Sequence, residues 1–224
     1  MKITLIITLL LFFQSNLNFK ANDQLDYSFD YRLKYECRNS DKDSIQFVNY
    51  YINSEKNNFY ADIREKSNSI QKLYFRDQEI LTCHADIKGD IKNPGTLQFP
   101  DSLTRNFSNL HEYKAKNYEI LNCEDTLVSG KNYVKVIFKF KDIKKAKKKK
   151  IGKEIYIIDT TKKMKPLLTN PTSLNIWRIN KNMPNGLIVE KHIYNFKGEI
   201  SLSEKLIEIA PVNFNLLIER KKNR

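Results

Sequence analysis

Leu25-Asp-Tyr-Ser-Phe-Asp-Tyr-Arg-Leu-Lys-Tyr-Glu-Cys-Arg38 alternates apolar and polar residues without an exception. Leu25, Tyr27, Phe29, Tyr31, Leu33, Tyr35 and Cys37 fall on one side, and Asp26, Ser28, Asp30, Arg32, Lys34, Glu36 and Arg38 on the other. Successive side chains of a β-strand point to opposite faces, so the stretch reads as one strand buried on one face. At roughly 3.3 Å per residue it would span about 45 Å, well over an ordinary strand. A strand this long and this rich in Tyr and Phe predicts a large curved antiparallel sheet. The fold class expected is therefore mainly β, a β-rich α+β chain built as a half-barrel with minor helical cover.

The neighbouring segments extend that pattern. Ile45–Asn53 reads as a second strand in hairpin with the first, and it carries apolar residues on both sides, which predicts cover on both faces. Asn58–Arg64, Ser69–Arg76 and Glu79–Ala85 continue as a meander, with Asp77-Gln78 at a turn. Lys88–Ser102, with two Gly and two Pro, reads as an irregular loop. Leu103, Phe107 and Leu110 sit at helical spacing and predict a short helix over Leu103–Lys114. Strands are expected at Tyr118–Cys123, at Tyr133–Phe140 and over Lys153–Thr160. Glu199–Ile209 fits either a helix or a bulged strand, with Pro211 ending it and Phe214–Glu219 closing a single domain over 22–224.

Upstream of the decisive strand, Lys2 precedes an apolar run, Ile3–Phe13, and polar residues follow from Gln14. Residues 1–21 thus have the parts of a secretory signal peptide, with cleavage after Ala21 or near Ser15. The run is short for a membrane span, which needs about 20 apolar residues, although an uncleaved anchor is the alternative. No Cys lies near it to carry a lipid. The chain of 224 residues has a formal charge of +13, or +11 without Lys2 and Lys20. Dispersed lysines read most simply as a solvated surface, and functionally as attraction to an anionic one.

Lys141–Lys153 concentrates that charge. Lys144, Lys145, Lys147, Lys148, Lys149 and Lys150 lie between two alternating segments, as the exposed tip of a β-hairpin would. Such a tip discourages edge-to-edge association. It is also the candidate contact with an anionic membrane surface, where each lysine contributes about 1 kcal/mol. Nucleic acid is not expected as a partner, because stacking aromatics would have to share a face with the basic residues, and the strand aromatics read as core.

Catalytic motifs do not emerge. There is no G-x-S-x-G elbow, H-E-x-x-H pair or Gly-rich phosphate loop. His84, His111 and His192 are singletons on different elements, so no metal and no cofactor is expected. Cys37, Cys83 and Cys123 permit one disulfide and one leftover thiol in an exported chain, and spacing does not choose among the pairings. An outer-membrane β-barrel is disfavoured by the short later runs and by the charged ending Glu219-Arg-Lys-Lys-Asn-Arg224. The expected role is non-enzymatic. Tyr27, Phe29, Tyr31, Leu33 and Tyr35 form the candidate apolar face for a lipid, an acyl chain or another apolar partner, and packed core is the plainer use of the same residues. The alternative function is a structural or protein-interaction module without a small-molecule ligand.

Taken in order, the leader, Tyr27-Ser-Phe-Asp-Tyr-Arg-Leu-Lys-Tyr35, the Asp43–Tyr60 stretch, Gly130-Lys-Asn-Tyr133, the Lys-rich hairpin and Ile155-Tyr-Ile-Ile-Asp159 form a familiar layout. It resembles the GLPGLI-type group of uncharacterised secreted bacterial envelope proteins. That group in turn is similar in layout to the LolA/LolB-like lipoprotein-carrier half-barrel. The resemblance implies a periplasmic, outer-envelope or secreted location in a Gram-negative-type bacterium. It also implies a lipid or a lipoprotein acyl chain as partner, and it brings no catalytic residues.

Overall fold

A computed structural model of the chain describes residues 24–40, 42–67, 70–88, 94–109, 112–128 and 130–220. The expected leader, 1–21, and His111 lie outside the described residues. Twelve strands form one sheet: β1 (Gln24–Asn39), β2 (Lys42–Asn53), β3 (Lys56–Ser67), β4 (Ile70–Asp77), β5 (Leu81–Lys88), β6 (Thr96–Pro100), β7 (Thr104–Asn106), β8 (Tyr118–Val128), β9 (Lys131–Phe140), β10 (Lys153–Asp159), β11 (Leu187–Tyr194) and β12 (Ile200–Glu219). Their order is β7-β5-β4-β3-β2-β1-β12-β11-β10-β9-β8, with β6 lying parallel against the end of β12. All other pairings are antiparallel, and the sheet is open, with β7 and β8 at its edges. Two short α-helices lie among the described residues: α1 (Ile143–Lys148), which buries no residue, and α2 (Pro171–Asn180), which supplies the helical cover. The fold class read from the sequence is the one observed.

Apart from β7, which returns to β5 after β6, each half of the sheet is a run of sequence-adjacent strand pairs, and the halves join through β1 and β12. That central pair is long because both strands continue past the ends of β2 and β11. A register shift falls between Phe29 and Tyr31 of β1, where β12 carries an extra residue. Bulges of this kind sharpen the local twist. The alternating side of β1 is divided there. Tyr27 and Phe29 pack with Tyr51, Phe59, Phe75, Phe214 and Leu216, whereas Leu33, Tyr35 and Cys37 pack with Val48, Tyr50, Ile52, Tyr60 and Met164. One sequence pattern therefore feeds two cores.

The first core is dense in aromatic contacts. Phe29 stacks on Phe214 at 4.7 Å between centroids and meets Phe59 edge-on at 5.5 Å, while Tyr27 lies 4.5 Å from Phe75. Such pairs each contribute about 0.5–1.5 kcal/mol beyond the area they bury. The second core lies beneath the irregular segment 160–170, which brings Met164 and Leu167 onto the sheet. That segment is held by backbone and side-chain bonds: Lys165 N–H to the Ser54 carbonyl (2.8 Å), Gln78 Nε2 to the Leu168 carbonyl (2.8 Å) and Asn57 Nδ2 to the Pro166 carbonyl (3.3 Å). The two-sided cover expected of the second strand holds over Val48–Ile52, where Tyr51 belongs to one core and Val48, Tyr50 and Ile52 to the other, but not at Phe47, which lies on the Tyr51 side and is 51 % exposed. A third cluster sits under α2, where Leu174 and Ile176 meet Val136, Phe138, Tyr156 and Ile158.

Several local expectations need correction. No helix spans 103–114: Thr104–Asn106 adds to the edge of β5, and the described flanks are 3-10 turns at Asp101–Leu103 and Glu112–Asn117. Backbone pairing to an open edge, continued by Phe107 N–H to the Ile80 carbonyl (2.9 Å), outweighs three apolar residues at helical spacing. The loop over 88–102 contains β6, whose Leu97 and Phe99 pack on the first core. Pro211 does not end a segment. It lies inside the 20-residue β12 beside the register shift, where a residue without an N–H interrupts no regular ladder. The Lys-rich connection does join two antiparallel strands, β9 and β10, but its tip is the helix α1.

Candidate functional site

The structure does not bring the five apolar-face candidates to one surface. Phe29 and Leu33 are 2 % and 1 % exposed, and they belong to different cores, with Tyr27 beside Phe29 and Tyr35 beside Leu33. Tyr31 is half-buried at the margin of the second. Tyr35 donates its hydroxyl to the Ile188 carbonyl (2.5 Å), which ties β1 to β11. Tyr27 alone of the five lines a described cavity, and it donates to Asp77 Oδ2 at 3.0 Å. Asp77 also accepts the backbone N–H groups of Glu79 and Ile80, closing the β4–β5 turn, while burial holds its carboxyl above the ordinary range.

The cavity that Tyr27 reaches opens around Trp177. A volume of about 500 Å³ is lined by Tyr27, Phe59, Trp177, Lys56, Lys165 and Arg178 among others. A second, of about 470 Å³, shares Trp177 and Arg178 and adds Lys181, Met183 and Pro184. Both fall within the range of roughly 300–1,000 Å³ typical of ligand pockets. Four cations, Lys56, Lys165, Arg178 and Lys181, rim this groove against two carboxylates, Asp26 and Glu79. Glu79 is already committed to an ion pair with Arg178.

The local sequence explains why Trp177 is presented here. Asn170 caps α2 by accepting the Thr172 N–H (2.9 Å), and Pro171 starts the helix with its φ preset. Lys181 ends it in the left-handed region, φ 53°, and donates its N–H to the Trp177 carbonyl (2.9 Å). Trp177 thus sits in the last turn, packed on one side against the third cluster and open on the other to the groove. Sequence reasoning passed over it, because a lone Trp in a short apolar run reads as core. The available signal was the Asn-Lys-Asn-Met-Pro-Asn185 stretch after it, too polar to cover a Trp face.

At the β9–β10 tip, Asp142 caps α1 by accepting the Lys145 N–H (2.9 Å). Ile143 is 62 % exposed, and Phe196, from the turn after β11, is 39 % exposed. Both line a shallow cavity of about 290 Å³ together with Lys139, Lys147, Lys153 and Lys197. Lys150 Nζ lies 5.9 Å from the Phe196 ring centre, so part of the lysine run gathers around this apolar spot. Lys144, Lys145, Lys147, Lys148, Lys149 and Lys150 are all exposed.

Thiol chemistry is muted. Cys37 and Cys83 are free and buried in different cores. Burial pushes the Cys37 thiol up to about 12, helped by Glu204, whose Oε1 lies 3.9 Å from its sulfur. Burial pushes Cys83 up to about 11. Neither is a thiolate at neutral pH. The side chain of Cys123 lies outside the described residues.

No known protein family and no curated protein matches the chain in sequence. Solved structures with a similar course do exist. A chain of the Pseudomonas aeruginosa MucA/MucB complex is 10 % identical with a TM-score of 0.42, over 85 % of this chain and 52 % of that one. This chain thus spans about half the length of that protein. A DUF1329 family protein from Desulfovibrio piger is 9 % identical, TM-score 0.34, over 92 % and 90 % of the two chains. An outer membrane lipoprotein-sorting protein domain from Vibrio parahaemolyticus is 8 % identical, TM-score 0.28, over 82 % and 85 %. Likenesses this distant say nothing of function.

Proposed function

We propose that the protein is an exported, non-enzymatic envelope protein that binds an anionic amphiphile, such as a fatty acid or a phospholipid acyl chain, in the Trp177 groove. The observation that carries this reading is the composition of the groove: Trp177 and Pro184, with the buried edges of Tyr27, Phe59 and Met183 behind them, under a rim of Lys56, Lys165, Arg178 and Lys181. An apolar floor gains from covering a hydrocarbon chain, and a surplus of cations fits an acidic headgroup. Of the aromatic face read from the sequence, Tyr27 is the member that enters this reading. Phe29, Tyr31, Leu33 and Tyr35 pack behind it or in the second core. Export rests on the leader-like residues 1–21, and the buried thiols give no support to a cysteine nucleophile.

The exposed lysines of 144–150 around Ile143 and Phe196 complement that role as a contact with an anionic membrane surface. Trp177 is the only tryptophan in the chain, which makes it a direct reporter. Titrating oleate labelled with a nitroxide quencher is expected to quench its emission saturably, and Met183→Asp should weaken the effect by about tenfold or more, as a charge on the floor opposes burial. Quenching that never saturates, or that Met183→Asp leaves unchanged, removes the reading in favour of a protein-interaction module.

A further inference from the structure

The face of the sheet beneath segment 160–170 is only partly covered. Beyond Thr169 it opens into a groove of about 420 Å³, lined by Tyr60, Asp62, Arg64, Tyr74, Arg76 and His84 among others. Strand register explains how these residues meet. Side chains directly opposite on neighbouring strands share a face. Tyr60 pairs with Arg76, Arg76 with Thr82 and Thr82 with Arg105, which sets one row across β3, β4, β5 and β7. The next row is Asp62, Tyr74 and His84, and the third is Arg64, Lys72 and Asp86.

Charges in these rows are unevenly matched. Asp62 is taken by Arg64 in a two-pronged contact, 2.9 Å to Nε and 3.2 Å to Nη2, and Asp86 lies opposite Lys72. The first row holds two guanidinium groups and no carboxylate. Elsewhere in the molecule Arg32, Arg38, Arg64 and Arg178 each pair with an acid, but among the described residues neither Arg76 nor Arg105 does. Arg76 instead lies over the Phe107 ring, 5.8 Å from its centre, on the side where Arg105 enters two residues earlier. Thr82 stands between them, with each arginine one strand spacing of about 4.8 Å away. The neighbouring His84 is held below its ordinary pKa, by burial first and then by Arg105, Lys72 and Arg76, against the opposing pull of Asp62.

We infer that Arg76, Thr82 and Arg105 form an oxyanion site that takes a phosphoryl group, with His84 at its border. Two forked guanidinium groups present donors that match the oxygens of a phosphate, and the Thr82 hydroxyl adds one between them. The rings of Tyr60 and Tyr74 and the adjoining groove leave room for whatever carries the phosphate. This site lies on the open sheet face among residues none of which lines the Trp177 groove, so it stands or falls separately from the amphiphile reading.

Calorimetric titration of the mature protein with inorganic phosphate, and in parallel with dihexanoyl phosphatidic acid below its micelle concentration, tests the site. Saturable binding of either is expected. Comparable affinity for both identifies the phosphoryl group as the whole of what is recognised, and tighter binding of the lipid identifies a headgroup as its source. Arg76→Gln and Arg105→Gln should each weaken binding by about ten- to a hundredfold, the range for losing hydrogen bonds to a charged group. Arg38→Gln, which removes an exposed arginine already paired with Glu36, should leave it unchanged. Below the pH at which inorganic phosphate has become the monoanion, binding should tighten as pH falls further toward the depressed His84 pKa, and His84→Ala should remove that tightening. Absence of saturable binding of both anions, or undiminished binding in the Arg76→Gln/Arg105→Gln double variant with its circular dichroism intact, overturns the assignment. Trp177→Phe is expected to leave phosphate binding unaffected.

Discussion

Lys191 and Glu204 provide a quantitative test of the buried ion pair that β11 and β12 set against Tyr50 and Cys37 across the seam between the two halves of the sheet. They face each other across β11 and β12 with Nζ and Oε2 3.2 Å apart, and their side chains are 8 % and 10 % exposed. Lys191 also donates to Thr169 Oγ1 (3.2 Å), and Glu204 accepts the Tyr50 hydroxyl (3.2 Å). Lys191→Met keeps the volume but strands the Glu204 carboxylate beside Tyr50 and Cys37. An uncompensated buried charge costs about 3–5 kcal/mol. For an m-value of roughly 2 kcal/mol/M, urea denaturation should show a midpoint lower by about 1.5–2.5 M. Glu204→Gln alone leaves the ammonium buried with one hydroxyl and should cost a comparable amount. The double variant removes both charges while Gln at 204 still offers an acceptor to Tyr50, so it should recover about 2 kcal/mol relative to the sum of the single changes. If the two changes simply add, the pair is not the buried, mutually compensated unit that the geometry describes.

Two further outcomes follow from the packing and from the charge at the hairpin tip. Phe29→Ala removes a ring that touches Phe59, Phe75 and Phe214 in a closed core, and should lower stability by about 3–5 kcal/mol in equilibrium denaturation. A loss under 1 kcal/mol would mean that Phe29 faces an open site. Replacing Lys144, Lys145, Lys147, Lys148, Lys149 and Lys150 with Ser should weaken sedimentation with phosphatidylglycerol vesicles at least tenfold at low salt, and the same binding should fade as salt rises. Equal binding of the variant and the parent protein would exclude the tip as the membrane contact.

The architecture was legible where the pattern is local. Perfect alternation in Leu25–Arg38 requires a strand, and the hairpin turns at Asp77-Gln78 and around Lys141–Lys153 follow from polar residues between apolar runs. Alternation says nothing about which layer each half of a strand will meet. The division of β1 at Phe29/Tyr31 depends on an extra residue in β12, about 180 positions later in the chain. Pro211 misled for a related reason: a residue without an N–H is read as a terminator, whereas at a register shift it can lie within a strand. The sites were less legible still. Arg76 and Arg105 are 29 residues apart and become neighbours only through the pairing of β5 with both β4 and β7. Thr104–Asn106, which supplies that pairing, was expected to be helical.

These features place the open surfaces of the sheet away from most of the aromatic run of β1. A sheet whose central strand is covered on both sides presents little of its aromatic face to a ligand, because the apolar area is already buried by its own chain. The exposed chemistry collects where cover stops. Segment 160–170 leaves the sheet at Thr169, and the rows of β3, β4 and β5 emerge beside it. Helix α2 ends at Asn180, and Trp177 in its last turn is left with one free face. The Lys191–Glu204 pair fixes the first of these boundaries through Thr169, whose carbonyl also receives the Tyr60 hydroxyl at 3.1 Å. Loosening that pair should therefore disturb phosphate binding at the open face while leaving Trp177 emission unchanged, since α2 is anchored separately through Leu174 and Ile176.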